Sequence, residues 1–166
     1  MRHQSGLSLL ELLVVIAIIG IVSGFAAPSM SEWNCKRELR KDFDVLVGAL
    51  STARVEAISR KTTMVVTGHP GYSGISSGVA YGVSSGGSCN SISSNRVQEK
   101  MGTAPSNNTM CFKPDGDANN TNSGQFFEVG KQCGTSKRYR YKVTITSFGH
   151  LIKEYLPPGG SQWLEI

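Results

Sequence analysis

The stretch from Gly6 to Ala27, GLSLLELLVVIAIIGIVSGFAA, decides how the rest of this 166-residue chain is read. From Leu7 to Ala27 its only ionisable side chain is Glu11. At about 1.5 Å per helical residue such a run covers roughly 30 Å, the thickness of the hydrocarbon core of a bilayer. The flank before it, Met1 to Gly6, carries Arg2 and His3 and no acid. The positive-inside rule therefore keeps that short end in the cytoplasm and puts everything after Pro28 outside. Two simpler readings compete, a cleaved secretory signal and a plain anchor. Gly24 to Ser29 (GFAAPS) only loosely imitates an A-x-A cleavage site. Neither reading explains Glu11, because an unpaired carboxylate in lipid costs about a few kcal/mol or is forced to protonate.

The segment Gly6-Leu-Ser-Leu-Leu-Glu11-Leu-Leu-Val-Val-Ile-Ala-Ile-Ile-Gly20 resembles the processing and polymerisation motif of type IV pilins and type II secretion pseudopilins. The resemblance implies that a prepilin peptidase cuts after Gly6, that the new amino terminus at Leu7 is N-methylated, and that Glu11 serves assembly. That family most often carries Phe after the cut, so Leu7 is a departure. It also implies a kink near Pro28. The chemistry is intelligible by itself: a Glu11 carboxylate that meets the Leu7 ammonium of a neighbouring copy pairs two charges that lipid would otherwise penalise.

Beyond Pro28 the pattern becomes amphipathic. Leu39, Phe43, Leu46, Leu50, Ala53 and Ala57 recur at helical spacing, one stripe of a helix with a single buried face. Lys36, Arg37, Arg40, Lys41, Asp42 and Asp44 crowd the same segment and are expected mostly on the solvent side, some pairing along the helix. Joined to the apolar run, the helix reaches Lys61, about 80 Å in all. From Thr62 onward Gly, Ser, Thr and Asn accumulate. Short β-branched and aromatic runs then predict antiparallel strands at 62–67, 79–83, 91–97, 109–112, 125–129, 138–146, 151–156 and 162–166. Mobile loops are expected within 68–95, where sixteen of 28 residues are Gly or Ser. The expected fold is α+β and pilin-like, a long N-terminal helix packed on a small antiparallel sheet domain. Its divisions are a leader at 1–6, a transmembrane and polymerisation helix at 7–28, the amphipathic half at 29–61 and a periplasmic β-rich domain at 62–166.

The whole chain resembles the FimU, FimT and pseudopilin-H group of minor pilins. Ala53-Arg54-Val-Glu56-Ala57-Ile58 is similar to that group's helix end, and Phe112-Lys-Pro-Asp115-Gly116 to its Phe-x-Pro-x-Gly turn. Pro at the second place and Gly at the fourth of a β-turn are also sound turn chemistry in themselves.

Cys35, Cys89, Cys111 and Cys133 all follow the expected span, so an exported domain should hold them oxidised. Four cysteines allow three pairings that sequence does not rank; the expectation taken is Cys35–Cys89 with Cys111–Cys133. Zinc fits poorly, since no two cysteines are spaced C-x₂₋₄-C. The three histidines organise no site, and Walker, G-x-S-x-G and H-E-x-x-H patterns are absent. No enzyme activity, cofactor or metal is expected. Asp115-Gly-Asp117 lacks the twelve-residue loop and terminal Glu of a calcium site.

The net charge of +5 permits contact with anions without demanding it. Lys137-Arg-Tyr-Arg-Tyr-Lys142 places Arg138, Arg140 and Lys142 on one strand face, with Tyr139 and Tyr141 on the other. With Lys137 and Lys153 these cations are candidate DNA contacts, weighed against a charged face that merely keeps an edge soluble. FimT-like pilins that capture DNA carry a Gly-Arg-x-Arg motif near the C-terminus. Here that region reads Gly149-His150-Leu-Ile-Lys153, which lowers the DNA reading.

The resemblance thus implies a minor pilin in the bacterial inner membrane, single-pass with a periplasmic C-terminal domain, that later joins a filament. Expected partners are other minor pilins, the major pilin, prepilin peptidase and the inner-membrane assembly platform. A FimT-like DNA receptor and a pseudopilin-H of a type II secretion system are the alternatives.

Overall fold

The computed structural model describes residues 8–69, 77–87, 89, 91–106, 108–119 and 126–166. Helix α1 runs unbroken over Leu9–Arg60 and is followed by nine strands: β1 Met64–His69, β2 Gly78–Ser84, β3 Ile92–Lys100, β4 Thr109–Phe112, β5 Ala118–Asn119, β6 Phe126–Gln132, β7 Arg138–Ile145, β8 Leu151–Leu156 and β9 Leu164–Glu165. Lys61 closes the helix in the left-handed conformation (φ 49°), and the amides of Lys61 and Thr62 return to the carbonyls of Ile58 and Ala57. Gly6 and Leu7 lie outside the described residues, as does the side chain of Pro28.

The strands form two antiparallel sheets rather than one, in the orders β3-β2-β1-β4-β5 and β6-β7-β8-β9. The sheets are joined by the backbone of Pro105, Ser106 and Asn108. Pro105 bridges to Val129, the Ser106 amide donates to the Glu128 carbonyl at 2.8 Å, and the Gly68 amide donates to Asn108. A side chain at Gly68 would place its Cβ 2.3 Å from the Ser106 carbonyl oxygen, so this seam requires glycine.

The expected stripe on α1 is the centre of the core: Leu39, Phe43, Leu46, Leu50, Ala53 and Ala57 are all fully buried. Met64, Val66, Met110 and Phe112 of the first sheet meet it from one side. Phe127, Val129, Val143 and Ile145 of the second meet it from the other. Phe43 stacks on Tyr141 at 5.1 Å between ring centres, and Tyr141 meets Tyr155 at 5.0 Å. The turn after Phe112 forms as its composition requires, with the Gly116 amide donating to the Lys113 carbonyl and Gly116 at φ 87°.

The disulfides are Cys35–Cys133 and Cys89–Cys111, which corrects the expected pairing. Strand alternation explains why. Cys111 pairs in register with Val65, whereas its neighbours Met110 and Phe112 face the helix. Cys111 therefore points to the far side of the sheet, where Val65, Cys89 and Ile92 form a second small core. Cys35 lies one helical turn before Leu39 on the buried side of α1, and there the end of β6 delivers Cys133.

Candidate assembly surface

The N-terminal part of α1 packs against no other element among the described residues. Leu9, Leu10, Leu12, Leu13, Val14, Val15, Ile16, Ile18, Ile19, Ile21 and Val22 are all exposed, on every side of the helix. A helix that is apolar all round is stable only against lipid or other protein. Of its few polar groups, Ser23 donates to the Ile19 carbonyl at 2.7 Å, and Glu11 lies in the first turn. Among the described residues no helix is long and apolar enough to cross a membrane. The expected run from Leu7 to Ala27 extends past the fully described residues 8–23 at both ends.

The other half of α1 is clamped to the β-domain by acids as well as by the core. Glu32 takes Lys36 at 2.8 Å, Lys137 at 3.2 Å and the Tyr139 hydroxyl at 2.7 Å. Those three donors, led by Lys36, lower the Glu32 carboxyl from 4.5 to about 2, and the same hydrogen bond raises Lys36. Glu38 meets Lys131 at 3.0 Å. Asp42 was expected on the solvent side but is buried, its two carboxylate oxygens accepting from the amides of Gly102 (2.9 Å) and Thr103 (2.7 Å). At the far end Arg54 donates to the carbonyls of Gly116 at 3.2 Å and Phe148 at 2.9 Å, tying the helix end to two turns. The Ala-Arg pair of the sequence is thus a structural clamp. Arg40 pairs with Asp44 along the helix, as the spacing predicts.

The basic strand alternates as expected: Tyr139 is buried and Tyr141 stacks on Phe43, while Arg138, Arg140 and Lys142 face outward. Most of those charges are already matched. Lys137 belongs to the Glu32 cluster, Arg140 lies 3.6 Å from Glu128, and Lys142 lies 2.8 Å from Glu154. Trp163 lies under both Arg140 and Lys142. Lys153 pairs across the ladder with Val143, an inward position, so it falls on the opposite face from Lys142. The candidate DNA contacts are therefore split between two faces. Among the described residues no group of His, Cys, Asp or Glu is arranged to hold a metal ion.

Residues 1–27 match the prokaryotic N-terminal methylation motif, and residues 44–149, more than half of the chain, match the family described as Type II transport protein GspH. The chain belongs to the GspH family. Two fimbrial proteins of Pseudomonas aeruginosa are each 33% identical to it over 70 residues, 42% of this chain and 45% of theirs. The match thus spans a little under half the length of those relatives. No solved structure matches. Leader motif, GspH domain and fimbrial relatives together make this a protein of the type IV pilin and pseudopilin class, whose families are structural proteins rather than enzymes.

For a GspH-family chain the arrangement divides the labour along one helix. The first half is left bare and apolar. The second half is held by a core stripe, a disulfide, a carboxylate cluster and an arginine clamp, so that the β-domain is fixed to the same helix that carries the bare segment. Of these fixings the sequence signalled only the stripe and the existence of disulfides. Glu32 with Lys36 at i,i+4 was a legible hint, but the Asp42 and Arg54 contacts are made across 60 to 94 residues and leave no local pattern.

Proposed function

We propose that the chain is a minor subunit of a type IV pilus, cut after Gly6, methylated at Leu7 and inserted in the inner membrane by residues 7–28. From there it enters the filament through its N-terminal helix. Its task is to help start assembly or to join a tip complex to the major pilin. Its partners are other minor pilins, the major pilin, prepilin peptidase and the inner-membrane assembly platform. What carries this reading is the bare apolar segment with Glu11 in its first turn, on the same helix that packs against the folded domain. Such a surface is a cost to an isolated chain and an asset only to a packed one.

The test is incorporation. Glu11→Ala should abolish entry into sheared filaments while leaving membrane levels near those of the unsubstituted chain, and the mature chain should begin at an N-methylated Leu7. A mature protein still starting at Met1 beside an active prepilin peptidase would overturn the reading. The family match favours a second reading, a pseudopilin of a type II secretion system. Crosslinking from cysteines placed along α1 separates the two by identifying the adjacent subunits. A DNA-capturing role is not favoured, because Lys137, Arg140 and Lys142 already share carboxylates.

A further inference from the structure

We propose that the outward face of α1 between Trp33 and Lys41 binds anionic phospholipid headgroups while the subunit waits in the membrane. This inference rests on the membrane-inserted reading above.

The charges of this segment are sorted by side. Glu32, Glu38 and Asp42 all turn to the β-domain, where Lys137, Lys131 and the amides of Gly102 and Thr103 engage them. The cations Arg37 and Lys41 are left on the free side, around a shallow depression of about 520 Å³ that also meets Asp44 and Val45; Arg40 lines its margin, its guanidinium 5.6 Å from the ring centre of Tyr141 of β7. Arg40 shares Asp44, and among the described residues no carboxylate lies within ion-pair distance of Arg37 or Lys41. A segment whose composition is nearly balanced therefore shows a basic face outward. Phosphodiester anions complement that face.

The position along the helix selects lipid as the source of those anions. The apolar run ends at Ala27, and at 1.5 Å per residue Met30 and Trp33 stand about 5 and 9 Å beyond it. The headgroup layer occupies roughly 5–8 Å on each side of the hydrocarbon. Met30 and Trp33 are 63% and 53% exposed, large apolar groups held at the level where aromatic side chains settle in a membrane interface. Arg37 has its Cα about 15 Å out, but helical side chains lean toward the N-terminus, and its guanidinium lies 4.5 Å from the centre of the Trp33 ring. That stacking brings the charge down by about one turn, to the edge of the headgroups. Arg40 and Lys41 stand one turn further out. They are still within about a Debye length of the layer, near enough for attraction without contact.

The test uses the full chain with Trp163→Phe, so that Trp33 is its only tryptophan, in lipid nanodiscs of phosphatidylcholine alone or mixed with phosphatidylglycerol. Incorporation is scored first, by co-migration of chain and disc. Quenching of Trp33 by headgroup-nitroxide lipid should be about twofold stronger in the anionic discs, and the difference should vanish in high salt or in R37Q/R40Q/K41Q. Equal quenching in both discs, or a difference that survives in the triple variant, overturns the proposal. If quenching ignores lipid charge while the triple variant fails to enter filaments, the face serves a neighbouring subunit and the lipid assignment is wrong. A chain that enters neither disc removes the membrane-inserted reading itself, an outcome read before any fluorescence.

Discussion

Removing the Cys35–Cys133 disulfide should cost more stability than removing Cys89–Cys111, because the two bridges close loops of very different length. The sequence separations are 98 and 22 residues. If the main effect is the loss of freedom in the unfolded chain, those loops correspond to about 4.7 and about 3.4 kcal/mol at 25 °C. The longer loop is partly short-circuited by the shorter bridge inside it, but loop cost grows only with the logarithm of length, so this removes about 0.2 kcal/mol. Double serine variants of each pair, unfolded in urea as full chains in detergent, should therefore differ by roughly 1 kcal/mol. With a slope of about 1–3 kcal/mol per molar, C35S/C133S should melt about 0.3–1 M earlier than C89S/C111S. Peptide mapping under non-reducing conditions checks the premise. Recovery of a Cys35–Cys89 peptide, or the opposite order of the two midpoints, would refute the topology from which the magnitudes are worked.

Three further outcomes test the clamps. The Glu32 carboxyl is lowered from 4.5 to about 2 on folding, so its contribution is complete above pH 4.5 and is lost as pH falls toward 2. The stability gap between the unsubstituted chain and Glu32→Gln should close over that window and stay constant from pH 5 to 8; a gap independent of pH across the acid range would contradict the cluster. Lys36, raised by the same contact, keeps its share throughout this range and loses it only in strong alkali. Asp42→Ala leaves the amides of Gly102 and Thr103 without their acceptors and should cost about 1–3 kcal/mol in denaturant unfolding, whereas a surface aspartate would cost under about 0.5. Gly149→Ala meets two obstacles at once, a φ of +76° and a Cβ placed 2.2 Å from the Gly116 carbonyl oxygen beside Arg54. It should lower stability by about 2 kcal/mol or more, and a neutral effect in thermal unfolding would show that the Arg54 junction is looser than drawn.

What could be read in advance follows from range. Helical spacing placed the six core residues of α1 because periodicity is local, and every strand of four or more residues was found to within a few residues for the same reason. The two-residue strand Ala118–Asn119 carries no period and was missed. The division into two sheets was not legible either, since it is enforced by Gly68, Pro105 and Ser106 meeting at a seam whose halves lie far apart in the chain. Pairing of the cysteines required knowing which face of β4 looks at the helix. One residue of alternation separates Cys111 from the core-facing Phe112, and no spacing between cysteines contains that information.

The same distinction explains the charged segment of α1. Counting residues from Glu32 to Asp44 gives a mixed, seemingly neutral helix surface, and mixed charge at i,i+4 normally reads as a solvated face. Folding breaks the mixture by drawing Glu32, Glu38 and Asp42 into contacts with the β-domain, each made across sixty or more residues. The cations remain because their partners have been taken. The basic outward face is therefore a product of tertiary structure, and its contrast with the sheet side should weaken if the clamps are cut. In Glu32→Gln, Glu38→Gln the domain loses two of the acids that fix the helix, and Lys137 and Lys131 become free charges on the sheet side. Basic charge would then lie on the sheet side as well, and orientation of the helix by an anionic surface should weaken even though Arg37, Arg40 and Lys41 are untouched.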